Sequence, residues 1–292
     1  MPRFESPTFL KKMSEKHQNP PEIDMSKPSI ARVYSYFLGG KDHFRVDREM
    51  ANHAEGAVAG VTDLVMGNRA FVQRAVGCMA EQGIRQFLDI GSGLPTDRNV
   101  HQIAHRTAPE ARVVYVDNDP MVLAHARAFL ADHGTTAAIN EDLTTPRKIL
   151  DAEGTRQLLD LNRPVGLVLG GVLHHLHDSE EPQRLTRELC DALVPGSHIA
   201  VSHFCRPDPE EHPADAERAE RLERAFLEKL GTGRWRGHDE VLGAFCGWEM
   251  LPPGLVPLDE WRPSPVGSTG PGSYRMPTRN RRLIIGGVAR KS

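Results

Sequence analysis

Apolar positions recur along this chain with two different periods, and the period changes near Gly83. Before Gly83 the spacing is three and four residues. Ile30, Val33, Tyr34 and Phe37 share one side of a helix predicted from Ser29 to Leu38, with Ser29 as its cap and Gly39-Gly40 as its stop. A second helical stretch is predicted from about Asp42 to Ala54. Asn68 stands where a cap would open a third helix, in which Phe71, Val72, Ala75, Val76 and Met79 recur at helical steps up to Gly83. Residues 1–27 are polar, carry proline and hold no period, so a mobile tail is expected there.

After Gly83 short apolar runs alternate with helical segments. Strands are predicted at 86–90, 112–116, 136–139, 165–169 and 197–202. The helices between them are expected at about 97–107, from Asp119-Pro120 to Gly134, at 146–160 and at 180–193. Strands alternating with helices predict an α/β fold, a parallel sheet covered on both faces. Residues 206–230 are highly charged but place Leu222, Ala225, Phe226 and Leu230 at helical spacing, which predicts an amphipathic helix. Trp248–Leu251 and Leu283–Val288 are strand-like and enclose a loop rich in Pro, Gly and Ser at 262–279, so an antiparallel pair is expected to close the sheet. The expected division is a tail at 1–27, a helical cap or lid at 28–82 and a Rossmann-like core at 83–292.

The first strand carries the chemistry. Phe87, Leu88 and Ile90 are apolar, Asp89 sits near the end, and Gly91 and Gly93 break the strand before a helix. A strand running into a Gly-x-Gly turn is a nucleotide-type site, because a backbone without Cβ atoms turns sharply and approaches a ligand closely. The dinucleotide pattern fails, since Thr96 occupies the third glycine position and Pro95 lacks a backbone donor. That ranks a nicotinamide oxidoreductase low.

Bulk properties narrow the field further. The chain has 292 residues, 39% hydrophobic and 26% charged, with a formal net charge of −3. That balance gives no global electrostatic case for nucleic acid or an acidic membrane surface. The basic run Arg275, Arg279, Arg281, Arg282, Arg290 and Lys291 reads as a solvated edge. Cys78, Cys190, Cys205 and Cys246 lie far apart, which disfavours zinc ribbons and disulfide frameworks. No apolar run approaches the roughly 20 residues of a membrane span, and no apolar signal core opens the chain. A cytoplasmic location is expected. Among 14 histidines, His101 and His105 could share a helix face and His174, His175 and His177 are bunched, but no third ligand is evident and no metal site is expected.

Leu88-Asp89-Ile90-Gly91-Ser92-Gly93, the acids Asp117 and Asp142, and His174-His175 after the fourth strand resemble a class I S-adenosylmethionine-dependent methyltransferase. The terminal hairpin fits that family's seven-stranded sheet with an antiparallel last strand. More narrowly, residues 28–48, Asn68-Arg69-Ala70-Phe71, Val116–Pro120, Pro253-Gly254-Leu255 and Trp261-Arg262-Pro263 are similar to a bacterial S-adenosyl methyltransferase family long catalogued as a domain of unknown function. The resemblance spans about residues 28–290.

It implies S-adenosylmethionine as cofactor. Gly91, Ser92 and Gly93 would pass its methionine part, with Asp89 toward the ammonium group. Asp117 would take the ribose hydroxyls, Asn118 the adenine edge, and Asp142 with Leu143 the adenine amino group. Tyr34, Gly39, Gly40, Lys41 and Asp42 would belong to a lid over the cofactor mouth. His174 or His175 would serve as a base with a pKa near the operating pH, or as a structural connector. The expected acceptor is a small molecule, with oligomeric state left open. A cofactor-binding regulatory protein without turnover remains the alternative.

Overall fold

The computed structural model describes residues 23–96, 98–130 and 134–292, with the backbone alone for Phe129 and Leu130. Three helices come first: α1 (Ile30–Phe37), α2 (Arg45–Ala57) and α3 (Val61–Glu81). Strands and helices then alternate as β1 (Gln86–Ile90), α4 (Val100–Ala104), β2 (Arg112–Asp117), α5 (Pro120–Leu130), β3 (Thr136–Asn140), α6 (Pro146–Asp151), α7 (Glu153–Leu158), β4 (Gly166–Gly170), α8 (Pro182–Asp191) and β5 (His198–Phe204). The chain closes with α9 (Pro213–Leu230), α10 (His238–Leu242), β6 (Glu249–Met250), β7 (Val256–Pro257) and β8 (Ile284–Arg290).

The eight strands form one sheet in the order β3-β2-β1-β4-β5-β8-β6, with β7 also paired to β8. β1 to β5 pair in parallel, and β8 runs antiparallel to β5 with Ala200 opposite Val288. The expected antiparallel closing pair is present as β6 and β8. An eighth strand arises because the chain past Met250 returns to β8 as the two-residue β7, pairing Val256 with Gly286.

Both sets of alternating side chains on the strands are apolar, so the sheet is buried on both faces. Phe87, Val113, Tyr115, Val168 and Ala200 point to a cluster shared with α1, α2, α3 and α9. Leu88, Val114, Leu167, Ile199 and Val201 point to a second cluster with α6, α7 and α8. Fully burying one such side chain stabilises the fold by roughly 1.5–3 kcal/mol. Phe71, on α3, is fully buried against Trp261 with ring centroids 5.4 Å apart.

The helices depart from the sequence expectation in three places. Asn68 does not cap a helix; it lies inside α3, which starts at Val61. The start is capped from elsewhere: the Glu55 carboxylate on α2 accepts from the N–H groups of Gly60 (2.6 Å) and Val61 (3.0 Å). The helix expected at 97–107 shrinks to α4. The helix expected at 146–160 is split between α6 and α7 at Ala152, whose backbone is extended (ψ 141°).

The tail expected at 1–27 lies mostly outside the described residues, as does the end of the helix expected near Gly134. Residues 24–27 are held in place. Arg32 Nη2 donates to the carbonyls of Asp24 (3.1 Å) and Lys27 (2.5 Å), while Arg32 Nε pairs with Asp47 at 2.9 Å. Asp47 also accepts from the N–H groups of Ser29 and Phe44. No helix among the described residues is long and apolar enough to cross a membrane.

Candidate functional site

The carboxyl ends of β1 to β4 open into one cleft of about 590 Å³. It lies where the strand order reverses on either side of β1, the usual ligand crevice of an open α/β sheet. β1 is buried throughout and delivers Asp89, only 7% exposed, to its floor. The turn that follows is pinned to the next strand, with the N–H groups of Gly91 and Ser92 donating to Val116 O at 2.9 and 3.2 Å. Gly91 has φ +71°, and a Cβ there would lie 2.5 Å from Val172 Cγ2 in the turn after β4. Gly93, at φ +67°, faces open space where a side chain would stand. Its backbone is therefore free of the bulk that would keep a ligand away.

The acids at the next strand ends are fixed by short polar turns. Asp117 Oδ2 accepts from Gly93 N at 2.8 Å and Oδ1 from Asp119 N at 3.0 Å. Asp119 is then the helix cap, as its sequence position predicts, taking Met121 N on Oδ1 at 2.8 Å. Its other oxygen accepts the Ser29 hydroxyl, which joins the start of α1 to this turn. Asp142 accepts Asn118 Nδ2 at 2.7 Å, and the N–H and hydroxyl of Thr144 at 2.8 and 2.7 Å. Leu143 is buried beside it.

These surroundings separate the three carboxyls electrostatically. Burial pushes Asp89 up to about 7; the charge of Asp117 adds to this and that of Arg69 opposes it. Burial pushes Asp117 up to about 6 against the N–H donors of Asp119 and Gly93. For Asp142 burial is outweighed by its bonds to Thr144 and Asn118, so its carboxyl falls below the usual range. The site thus holds two carboxyls that ionise near neutrality and one that is ionised well below it.

Arg69 is a cleft residue that sequence reasoning placed only inside a family motif. Its Nη2 is anchored to Thr96 Oγ1, to Arg98 O at 2.7 Å and to Asn99 Oδ1 at 3.3 Å. Its Nε is buried with no hydrogen-bond partner. An Asn68-Arg69 pair between the apolar runs Leu64–Met66 and Ala70–Val72 was the available signal. Asn68 itself is a hub: Nδ2 donates to Tyr34 Oη (3.0 Å) and Gly170 O (3.3 Å), and Oδ1 accepts from Ser202 Oγ (2.5 Å).

The structure brings Tyr34, Asp89, Gly91, Ser92, Gly93, Asp117, Asn118, Asp142 and Leu143 to one cleft. It does not bring Gly39, Gly40, Lys41 or Asp42 there. α1 begins at the cleft, beside Asp119, and its eight residues carry the chain roughly 12 Å away before the Gly39-Gly40 turn. Asp42 instead approaches His125 on α5, at 3.8 Å. The part of the N-terminal segment that does line the cleft is earlier: Asp24, Lys27, Pro28, Ser29 and Arg32.

The two histidines after β4 separate. His174 is buried and packed: it stacks on Phe204 at 3.7 Å and accepts Phe204 N on Nδ1 at 3.3 Å. It does not line the main cleft. His175 does, and its Nδ1 is buried without a partner. The surroundings of both imidazoles hold them below the usual histidine range. Burial pushes His175 down to about 3, and burial with the charges of His175, His203 and Arg236 takes His174 well below its usual range. The pair His101 and His105 is engaged elsewhere, with Tyr115 Oη at 2.7 Å and Ala111 O at 2.8 Å.

Comparison with known proteins places this geometry. Residues 16–292 match a family described as S-adenosyl methyltransferase. A solved structure from Thermobifida fusca YX, provisionally assigned as a methyltransferase, is 38% identical; the match covers 94% of this chain and 99% of that one, with a TM-score of 0.82. A DUF574 family protein from Streptomyces avermitilis is 36% identical, over 93% of this chain and 100% of that one, with a TM-score of 0.83. No curated protein matches the chain. The sheet, mostly parallel with an antiparallel last full strand, is that of the Rossmann-like class I methyltransferases. The chain belongs to the S-adenosyl methyltransferase family, whose cofactor is S-adenosylmethionine.

Proposed function

We propose that this chain transfers a methyl group from S-adenosylmethionine to a small-molecule acceptor. The observation that carries the cofactor assignment is the pair of Asp89 and Arg69. A buried carboxyl and a guanidinium whose Nε has no partner line the same cleft as the open glycine turn. A ligand with an α-ammonium and an α-carboxylate satisfies both, the ammonium at Asp89 and the carboxylate at Arg69. Asp117 accepts the two ribose hydroxyls while keeping its backbone donors, since a carboxylate has about four lone-pair sites. Asp142, with Asn118 fixed against it, receives the adenine amino group, and Leu143 packs on the ring.

When bound, the cofactor supplies a methyl group on a sulfonium, a strong electrophile. The protein's part is positioning: it holds the donor along the β1 and β2 ends and leaves the space near Gly171, His175 and Thr232 for the acceptor. The six residues Leu94–Asn99 that separate Gly93 from the first turn of α4 also favour this reading over a dinucleotide, whose pyrophosphate needs a helix start at the turn.

Calorimetry tests the cofactor, and release of S-adenosylhomocysteine with labelled methyl transfer into a small-molecule extract fraction tests the reaction. Micromolar binding of S-adenosylmethionine without binding of NADH is the expected result. Binding of NADH alone would overturn the cofactor assignment. Binding with no labelled product over a broad fraction set would turn the reading toward a regulatory protein.

A further inference from the structure

Behind His175 lies a second, narrower cavity of about 30 Å³. It shares Ile30, Tyr34, Asn68, His175 and Leu230 with the main cleft, so the two are neighbouring spaces with a common wall. Apart from His174, the rest of its wall is apolar, from Val33 and Phe37 on α1, Leu64 and Val65 on α3, Phe204, Phe226 and Ile284. No carboxylate, ammonium or guanidinium lines it. Several of its polar groups are already committed. Tyr34 Oη is bonded to Asn68 and Val65, Asn68 is bonded as above, and His174 Nδ1 accepts from Phe204 N. His175 Nδ1 makes no hydrogen bond.

We infer that this chamber receives the body of the methyl acceptor, and that the acceptor is an uncharged molecule with an aromatic or alkyl body and a hydroxyl set against His175 Nδ1. The inference rests on the methyltransferase reading above. A charged acceptor would leave its ion unpaired in an apolar enclosure, which is costly, whereas a neutral ring loses only water. A hydroxyl gives Nδ1 the partner it lacks. As it stands the chamber has room for two or three waters, so a ring enters as α1 side chains yield. Ile30, on the shared wall, is 41% exposed.

The chemistry balances with these residues. The hydroxyl oxygen forms a bond to the methyl carbon as the carbon–sulfur bond breaks, and that bond's electron pair stays on sulfur as a neutral thioether. The hydroxyl proton passes to His175 Nδ1, and the imidazolium gives up a proton to water in the cleft that the same side chain lines. A weak base suffices, because the oxygen sheds its proton ever more readily as its own bond to carbon forms.

Three phenols with one ring and one hydroxyl separate the possibilities: 4-ethylphenol (neutral), 4-hydroxyphenylacetate (anionic) and tyramine (cationic). Equilibrium dialysis with the full chain saturated by S-adenosylhomocysteine measures binding without turnover. The neutral phenol is expected to bind at least tenfold more tightly than either charged analogue. Leu64→Phe, which fills the chamber away from the cofactor cleft, is expected to weaken it tenfold while leaving cofactor affinity within twofold and the melting temperature intact. Val33→Phe gives the same test from α1 if Leu64→Phe does not fold. His175→Gln is expected to keep phenol binding within a few-fold and to lower methylation 10²-fold or more. Equal or tighter binding of a charged analogue, no binding of any of the three, or unchanged affinity in both filled variants overturns the acceptor class. A His175→Gln variant with wild-type methylation removes the histidine from the step. Failure of S-adenosylhomocysteine itself to bind is a different result, and brings down the cofactor reading.

Discussion

Asp89 and Asp117 ionise near neutrality in the folded chain, far above the ordinary carboxylate range. The folded state therefore keeps protons that the unfolded chain has already released. The stability these two groups contribute is complete below pH about 4 and is lost as pH rises toward 6 and 7, by up to ~1.4 kcal/mol per pH unit per group. A cationic ammonium at Asp89 reverses the preference and favours the carboxylate. Cofactor affinity is expected to climb between pH 5.5 and 7 by up to about tenfold per unit and then level off. Calorimetry at pH 6 in two buffers of different ionisation enthalpy should show proton release, and Asp89→Asn should remove both the release and the slope. Asp117→Ala is expected to cost about 1.5–3 kcal/mol for each ribose hydroxyl, 10- to 100-fold in affinity per bond. At this scale the acids were legible, because each follows an apolar strand and nothing in its local sequence competes for it. Arg69 was not, since its meaning depends on where α3 lies relative to β1.

Strands were read well from sequence because a run such as Val113–Val116 is apolar on both faces of the sheet and needs no partner to be recognised. Helix ends were read less well. Asn68 has the chemistry of a cap, yet the cap of α3 is a carboxylate from the preceding helix, which no local pattern announces. Inside α3, Asn68 ties the helix to β4, β5 and α1 at once. Asn68→Ala leaves Ser202 and Gly170 with unmet polar groups and is expected to destabilise the fold by about 1–3 kcal/mol in urea titration. It should also loosen Tyr34 and so weaken acceptor binding. Glu55→Ala is expected to speed amide exchange at Gly60, Val61 and Thr62 while the middle of α3 stays protected.

The helices before β1 share one apolar cluster with α9 and one face of the sheet, so the N-terminal segment packs directly on the core. The fixed point is the buried pair Arg32 and Asp47, with side chains 4% and 0% exposed. Arg32→Met strands a buried carboxylate and is expected to cost about 3–5 kcal/mol in denaturant titration. The basic edge at the C-terminus is likewise partly knitted in: Arg282 approaches Asp215 at 3.4 Å, and Lys291 Nζ donates to Cys190 O at 2.9 Å and Leu193 O at 2.6 Å. The Arg32 tether also bears on timing. Residues 24–32 form one side of the cofactor cleft, and the same guanidinium that holds them must let go for that side to swing away. We expect departure of the spent cofactor to follow that chain movement, with product release slower than methyl transfer. A rapid first turnover followed by a slower steady rate is the expected time course, and loosening the tether should shorten the wait between cycles.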